Sequence, residues 1–228
     1  MNLSDRDTIV TVSGGFECLA ALWWSVNKGL KPVGVHLKNN VHGNTAKASE
    51  YWARKQCEYF KVPLIVDEIE IPQKNAIKVA VFQWQSAILH LLAGNEKVDW
   101  KYIVWGANSE DSFRQRVQLR YPSKMIQMYQ SDAIDAHGIH KKVLLNSPIN
   151  LFPFEHLTKS EIVGIIGRIE PKTLDLAFSC VRGYQLVEEW KMCEKCNKCA
   201  EWQLAKQIAG QAKFRVQEGF DYGASFGS

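Results

Sequence analysis

The sequence predicts an α/β protein with a doubly wound parallel sheet. The first observation is a set of apolar stretches rich in β-branched residues, at 8–12, 32–37 and 62–71, which have the composition of buried strands. The second is that longer segments with helical spacing of apolar residues separate these stretches, beginning with 19–27. The third is a glycine pair directly after the first strand. Strands that alternate with helices favour parallel pairing through right-handed crossovers.

The remaining elements follow the same patterns. Gly29 is placed to end the first helix, and Thr45 to begin a second one with Cys57 on its buried side. Thr158 and Glu161 form a capping box, which predicts the start of a later helix. Further predicted elements are a helix over 74–92, a strand over 102–105, a helix over 121–136, a strand or edge segment over 143–151 and a helix over 201–212.

Length and composition fit one large domain, or one domain with a small appendage. The chain has 228 residues and a formal net charge of +4, which suits an anionic ligand such as a nucleotide but is too weak to indicate nucleic-acid binding. The N-terminus does not resemble a signal sequence, and no apolar stretch is long enough to span a bilayer. We therefore expect a cytoplasmic protein that does not enter a membrane, with an α/β domain over 1–170 and a cysteine-containing region over 171–228 packed on it.

The segment VSGGFEC, from Val12 to Cys18, joins the first predicted strand to the first helix. Gly14 and Gly15 allow the backbone to turn sharply beside a ligand, and the N–H groups at a helix start favour phosphate. The segment is therefore a candidate anion site. A tight turn without a ligand would have the same local sequence. His36, at the end of the second strand, is either a residue of the ligand edge or a structural histidine.

A second polar segment, WGANSEDSFRQR, follows the fourth predicted strand. It offers a glycine for close approach, polar side chains that can read a ligand, and arginines that can clamp an anion. These residues are Gly106, Asn108, Glu110, Asp111, Ser112, Arg114 and Arg116. A solvent-exposed loop would have a similar composition. Lys159, in the first turn of the capped helix, is a further phosphate candidate whose alternative role is only to start that helix.

Four of the six cysteines lie near the C-terminus with the spacing C-x12-C-x2-C-x2-C. They are Cys180, Cys193, Cys196 and Cys199. Two-residue gaps let neighbouring thiolates converge on one ion, and four sulfurs complete a tetrahedral zinc shell with no open position. The pattern therefore predicts a structural zinc site. An iron–sulfur cluster is the alternative, because similar spacings also hold such clusters.

Taken in order, these segments resemble the 7-cyano-7-deazaguanine synthase family of PP-loop ATP pyrophosphatases. VSGGFEC is similar to the family's SGGxDS loop, and GANSEDS to its G-x-N-x-x-D-x-S segment. LTKSEIV is similar to its L-T-K-x-E-I-V stretch, and the cysteines to its SC…C-x-x-C-x-x-C zinc site. The matching segments run from Val12 to Cys199, which is nearly the whole chain.

The resemblance implies an adenine nucleotide alpha hydrolase-like fold with a PP-loop, usually a homodimer, that uses ATP, Mg²⁺ and one Zn²⁺ per subunit. It implies that ATP adenylates the carboxylate of 7-carboxy-7-deazaguanine, and that ammonia then converts the activated group to a nitrile through an amide. Adenylation is needed because a carboxylate is a poor electrophile without a good leaving group. The region 1–170 would then bind ATP and the region 171–228 would bind zinc.

The resemblance also implies roles for individual residues. Ser13, Glu17 and Cys18 would be catalytic, as the residues that hold the phosphates and their metal. Nucleotide contacts would come from Val12, Ser13, Gly14, Gly15, Phe16, Glu17, Cys18, His36 and Leu37. Substrate contacts would come from Gly106, Asn108, Asp111, Ser112, Arg114 and Lys159.

Three positions depart from the family's pattern. Glu17 stands where the family has Asp, Cys18 where it has Ser, and Val181 where it has Tyr. Glutamate moves its carboxylate out by one methylene, and a thiol is a weaker donor than a hydroxyl. These departures leave two alternatives open. One is a related enzyme that attaches a deazaguanine to a protein or nucleic acid, and the other is a nucleotide-binding scaffold subunit without turnover.

Overall fold

The computed structural model describes residues 3–39, 43–69, 100–111 and 148–211 of the chain. The predicted helices over 74–92 and 121–136 and most of the predicted strand over 143–151 lie outside these residues, as do Ser112, Arg114 and Arg116. None of the helices within the described ranges combines the length and the apolar character that crossing a membrane requires.

Within the described residues, five parallel strands form the central sheet. They are β1 (Thr8–Thr11), β2 (Pro32–Asn39), β3 (Leu64–Ile69), β4 (Tyr102–Val104) and β5 (Ile149–Leu151). Their order is β3-β2-β1-β4-β5, so the direction in which the sheet grows reverses beside β1. Ile9 of β1 pairs with Val33 of β2 on one side and with Ile103 of β4 on the other. The predicted doubly wound parallel sheet is therefore confirmed.

Helices flank this sheet. They are α1 (Phe16–Asn27), α2 (Gly43–Tyr59), α3 (Lys159–Ile169) and α4 (Asn197–Gln211), with a 3-10 helix at Pro171–Leu176 between the last two. Helix α1 begins three residues before its predicted start, because Gly15 serves as its N-cap. The predicted capping box of α3 is present: Thr158 Oγ1 accepts from the Glu161 backbone N–H, and the Thr158 N–H donates to the Glu161 carboxylate. Gly29 ends α1 in a left-handed conformation, with φ of 72°.

Helix α1 lies at the centre of the main hydrophobic core. Leu19 and Leu22 are fully buried, and α3 contributes Ile162 and Ile166 to the same cluster. Trp202 of α4 reaches this core and packs on Phe16, with 4.9 Å between ring centroids. Because a buried aromatic side chain removes a large apolar area from water, the Trp202 contact ties α4 to the start of α1.

The C-terminal region forms a second, smaller core against α2. It contains an antiparallel hairpin of β6 (Tyr184–Leu186) and β7 (Glu189–Lys191). Trp52 of α2 stacks on Phe178 at 5.8 Å between ring centroids, and its Nε1–H donates to the Trp190 carbonyl at 3.0 Å. These contacts place the cysteine-containing region beside the first loop of the sheet. A domain boundary at residue 170 stays a prediction.

Candidate functional site

The loop from Ser13 to Gly15 connects the carboxyl end of β1 to α1. Gly14 has φ of 78°, a left-handed conformation that side-chain-bearing residues rarely adopt. A Cβ at Gly14 would lie 2.8 Å from Trp52 Cβ and 2.9 Å from the Ser49 carbonyl oxygen. The loop therefore requires glycine here for its backbone conformation and for close packing on α2.

The Gly14 carbonyl is held by two donors from distant parts of the chain. The Phe178 backbone N–H donates to it at 2.9 Å, and Gln56 Nε2 donates to it at 2.8 Å. Gln56 Nε2 also donates to the Leu176 carbonyl at 2.9 Å. Because Phe178 lies two residues before the first cysteine of the C-terminal group, the loop is braced directly by the cysteine-containing region.

The start of α1 has the features of an anion site. No side chain caps the helix at Gly15, so its first-turn N–H groups are available to a ligand at the positive end of the helix dipole. The Phe16 side chain is fully buried. A nucleotide would therefore meet Phe16 only through its backbone, and the predicted nucleotide contact of this residue stays a prediction.

Ser13 and Cys18 face each other across the loop. Ser13 Oγ lies 3.2 Å from Cys18 Sγ, and the Gly15 N–H donates to Ser13 Oγ at 3.4 Å. Burial is the largest influence on the Cys18 thiol and raises its pKa, although its contact with Ser13 acts in the opposite direction. Cys18 is therefore a neutral thiol near pH 7, which makes it a weak hydrogen-bond partner rather than an activated nucleophile.

His36 is fixed in one tautomer at the end of β2. Its Nδ1 lies 2.8 Å from the Val12 carbonyl oxygen, so Nδ1 carries the proton and Nε2 is an acceptor. Burial lowers the pKa of His36 and keeps the ring neutral. His36 is only 4% exposed, and its Nε2 has no partner among the described residues. Leu37, which follows it, is buried.

The carboxyl ends of β1 and β4 lie side by side where the strand order reverses. A Cβ at Gly106 would collide with the carbonyl oxygen of Glu17, so Gly106 is the glycine that lets α1 approach the end of β4. Crevices of this kind, at the carboxyl edge of an open parallel sheet, are where α/β folds bind their ligands. The sequence predicted both segments but not their contact.

The segment after Gly106 is a compact turn. Asp111 Oδ2 accepts from the Asn108 backbone N–H at 2.8 Å, and Asn108 Oδ1 accepts from the Glu110 N–H at 2.9 Å. Asn108 is 2% exposed, and its backbone bridges to Phe154 beyond the end of β5. The polar side chains of Asn108 and Asp111 therefore shape the turn itself as well as facing the crevice.

Lys159 is the central cation of the crevice. Its Nζ lies 2.6 Å from Glu17 Oε1 and 3.9 Å from Glu201 Oε2, with 10% of its side chain exposed. Its backbone N–H donates to Glu110 Oε2 at 3.1 Å. Burial acts to lower the pKa of Lys159, but the carboxylates of Glu17, Glu201 and Glu110 together raise it, so the ammonium form is retained.

These elements enclose a cavity of about 360 Å³. The predicted site residues that the structure brings together there are Glu17, Asn108, Glu110, Asp111 and Lys159. Sequence reasoning did not assign the wall that α4 supplies, which consists of Lys198, Glu201, Leu204, Ala205 and Ile208. Their spacing of about three to four residues was a readable signal for one helix face, but nothing local showed that this face meets the first loop.

The four C-terminal cysteines form a compact tetrad. Their sulfurs all lie within 4.8 Å of one another, with separations of 3.5 Å for Cys196 and Cys199, and 3.9 Å each for Cys193 with Cys199 and Cys180 with Cys196. A tetrahedral site with Zn–S bonds of about 2.3 Å has sulfur separations of about 3.8 Å. A disulfide would need about 2.05 Å. The residues therefore fit a four-thiolate zinc shell.

Backbone N–H groups lower the pKa of two of the four thiols, Cys193 and Cys196, whereas burial raises the pKa of Cys180 and Cys199. The N–H groups of Arg182 and Cys193 each donate to Cys180 Sγ at 3.3 Å. Burial acts to raise the pKa of Cys196, but N–H donation from Val181 and Cys199 lowers it to about 6. N–H donation to the sulfurs stabilises thiolates, which are the ligating form, and orients them as outer partners of a metal site do.

Among the described residues, three or more metal-ligating side chains lie close enough to bind one ion only in the tetrad. Glu17 could give one oxygen to Mg²⁺, but its carboxylate is paired with Lys159 in this structure. Proteins that bind Mg²⁺ with one or two carboxylates complete its shell with substrate phosphates and water. Magnesium therefore stays a prediction that depends on the nucleotide.

Comparison with known proteins adds little to this geometry. No family model matches the chain, and no curated protein matches it in sequence. Among solved structures, the chain is similar to an NMN synthetase from Francisella tularensis, with 14% sequence identity, a TM-score of 0.37, and coverage of 96% of this chain and 92% of that one. Because the identity and the TM-score are both low, the fold assignment rests on the strand order and the helices described above.

Proposed function

We propose that the protein is an ATP-dependent ligase of the 7-cyano-7-deazaguanine synthase type. The observation that carries the proposal is the convergence of Glu17 from the SGGFEC segment, the Asn108–Asp111 turn and Lys159 on one cavity, whose α4 wall begins at Lys198, next to Cys199 of the tetrad. The family resemblance rests on these same four segments, and the structure brings three of them to a common crevice at the carboxyl edge of the sheet. Homodimer formation stays a prediction.

The proposed chemistry has two activations. An oxygen of the acid's carboxylate attacks the α-phosphorus of ATP, forming an acyl adenylate and releasing pyrophosphate. Ammonia attacks the acyl carbon, and AMP leaves with the oxygen to give an amide. A second adenylation of the amide oxygen, followed by loss of AMP and protons from nitrogen, gives the nitrile. Each adenylation releases pyrophosphate and attaches AMP to the oxygen of the carboxylate or of the amide, so that this oxygen departs with AMP, a good leaving group.

The residues of this chain would divide the binding. The first-turn N–H groups of α1 and the Ser13 hydroxyl would hold phosphate oxygens. His36 Nε2 is buried and does not line the cavity, so the predicted nucleotide contact of His36 stays a prediction. Lys159, which pairs with Glu17 of α1, would offset the negative charge of the acid's carboxylate on the α1 side of the cavity, while the pyrophosphate would stay at the start of α1.

The test is to combine the folded, zinc-loaded protein with ATP, Mg²⁺, ammonia and 7-carboxy-7-deazaguanine. We expect AMP and pyrophosphate by chromatography and the nitrile by mass spectrometry. Lys159→Met should reduce AMP formation on the order of a hundredfold, whereas Lys191→Met, in the exposed hairpin, should leave it unchanged. No AMP and no nitrile from the folded protein would overturn the proposal, and AMP release with mass added to a protein or DNA would favour the macromolecular alternative.

The tight Glu17–Lys159 pair favours a second candidate, a nucleotide-binding subunit without turnover. At 2.6 Å, the pair occupies the carboxylate that the family resemblance assigns to phosphate-bound metal. On this alternative, calorimetry would show ATP binding without AMP formation. The double variant Glu17→Asp with Cys18→Ser would then restore AMP formation, because the shorter carboxylate withdraws from Lys159 and the hydroxyl donates more strongly than the thiol.

A further inference from the structure

Helix α4 contributes a complete wall of the cavity, although it belongs to the cysteine-containing region. Lys198, Glu201, Leu204 and Ile208 all line the cavity. Cys199 of the tetrad lies in the first turn of α4, and Trp202 fixes the middle of the helix on Phe16. Helix α4 is therefore held at Cys199 and at Trp202, and its cavity-lining side chains face the crevice in a defined position.

The α4 wall combines apolar and acidic side chains. Leu204 and Ile208 are 56% and 41% exposed, even though both face a concave site. Accessible apolar side chains in a cavity are suited to pack on the face of a flat ring. Glu201 lies one turn before Leu204 with 48% of its side chain exposed, and its Oε2 is held 2.7 Å from Lys198 Nζ. A carboxylate is thus presented beside an apolar surface.

The net charge of the residues that line the cavity indicates which part of a ligand would bind there. Four carboxylates and two ammonium groups line it, which gives the lining a net charge of −2. Such a lining disfavours a triphosphate, which is better placed at the uncapped start of α1. It favours an uncharged ring that offers N–H donors to carboxylate oxygens.

We infer that Glu201 is a specificity-determining residue, which accepts hydrogen bonds from the N–H edge of a guanine-type ring while Leu204 and Ile208 pack on the face of that ring. The identity of the ring rests on the proposed function. The 2-amino group and the adjacent ring N–H of such a ring are parallel donors, and a carboxylate accepts a parallel pair through its two oxygens. A ring without the 2-amino group leaves one carboxylate oxygen without that donor, which costs binding energy in a partly desolvated site.

The test compares two uncharged rings, 7-deazaguanine and 7-deazahypoxanthine, by calorimetric titration of the full-length, zinc-loaded protein. We expect the wild-type protein to bind 7-deazaguanine on the order of 10- to 100-fold more tightly, the range for hydrogen bonds to a charged group. Glu201→Gln should lose most of this preference, because its amide offers one neutral acceptor in place of two charged ones: 7-deazaguanine loses two hydrogen bonds to a carboxylate, and 7-deazahypoxanthine loses only the one from its ring N–H.

The matched control is Glu189→Gln in the exposed hairpin. Its carboxylate pairs with Lys191 as that of Glu201 pairs with Lys198, but it lies outside the cavity. We expect it to bind both rings as the wild type does, and thermal unfolding would verify that both variants are folded. Equal binding of the two rings by the wild type, binding of neither, or an unchanged preference in Glu201→Gln would overturn the inference.

The formation of AMP is measured separately, so that the two proposals can fail independently. A ring preference that depends on Glu201, without any AMP from ATP and the deazaguanine acid, would support the inference and overturn the proposed function. Equal rates of AMP formation from the acids with and without the 2-amino group would support adenylation and overturn the role of Glu201.

Discussion

The cysteine tetrad and the cavity are both clusters of polar side chains, but they are assembled over very different distances in the chain. The tetrad takes all four ligands from residues 180–199, and two-residue gaps bring three of them together. The cavity joins Glu17, Asn108 and Lys159 to a wall from α4, so its parts come from four separate segments. A local cluster is readable from spacing, whereas a distributed one exists only when the sheet and its helices are packed.

The two sites are nevertheless connected. Phe178, just before the tetrad, donates to the Gly14 carbonyl, and α4 runs from the tetrad to the cavity. We therefore expect that substitution of a tetrad cysteine changes the structure of the cavity, whereas substitution of one cavity side chain leaves the tetrad intact.

The largest effect is expected from Cys196→Ala. We expect it to remove one zinc per chain and to lower the free energy of unfolding by roughly 5 kcal/mol, a fraction of the roughly 10–16 kcal/mol that zinc binding supplies to small structural sites. Elemental analysis and urea denaturation would measure the two changes. Cys57→Ala, at a buried cysteine outside the tetrad, should keep the zinc. Iron with visible absorption of a cluster, in place of zinc, would contradict the zinc assignment.

Gly106→Ala should have the next largest effect. Its new Cβ would collide with the backbone of Glu17, which cannot rotate away, so α1 would have to shift from β4. We expect a loss of about 3 kcal/mol in urea denaturation, at the upper end of overpacking effects, with zinc content unchanged. Gly210→Ala is the control: a Cβ there meets nothing within 4 Å, and a helical alanine should be neutral or stabilising by about 0.5–1 kcal/mol. Equal stability of the two variants would refute the close approach.

Lys159→Met tests the ion pair in the cavity. We expect a loss of about 2 kcal/mol near neutral pH, less than the roughly 3–5 kcal/mol for a fully buried pair, because 34% of the Glu17 side chain is exposed. The pKa of Lys159 is raised in the native state, so its contribution is complete below the ordinary lysine pKa of about 10.4 and is lost as the pH rises through the native value.

Urea denaturation at a series of pH values from neutral to strongly alkaline would measure this contribution. The gap in stability between the wild type and Lys159→Met should narrow at alkaline pH, while zinc content stays at one per chain throughout the neutral range. Lys191→Met, which removes the exposed partner of Glu189, should not reproduce the loss. A gap that is independent of pH would show that packing, not charge, accounts for the effect.

The smallest effect is expected from His36. Burial lowers the pKa of His36 in the native state. As the pH falls below the ordinary histidine pKa of about 6.5, His36 is protonated in the unfolded chain but stays neutral in the native state. The free energy of unfolding therefore decreases. His36→Asn should flatten this acid dependence in denaturation experiments. His156→Asn, at a side chain that is 87% exposed, should leave the dependence as in the wild type. A native His36 resonance that titrates at the ordinary value would contradict the buried environment.

Most of the fold was predictable because its signals are local. Short runs of β-branched residues such as Thr8–Thr11 predict strands. The capping box predicted the start of α3, and Gly29 ends α1 as expected. The start of α1 was misplaced because Glu17 and Cys18 read as loop residues when only the glycines beside them were considered. The strand order β3-β2-β1-β4-β5 was not predicted, because pairing between strands depends on contacts distant in sequence.

Short stretches of the sequence are enough to predict the glycine turn of the first loop, the lysine in the first turn of the capped helix α3 and the zinc spacing of the four cysteines. Each of these depends on residues within a few positions of one another, which backbone geometry keeps together. By contrast, the pairing of Lys159 with Glu17, the close approach of α1 to Gly106 and the position of Glu201 at the same cavity are visible only in the folded chain. These contacts depend on how the sheet and the helices pack, because burial of the shared hydrophobic core determines which distant faces meet.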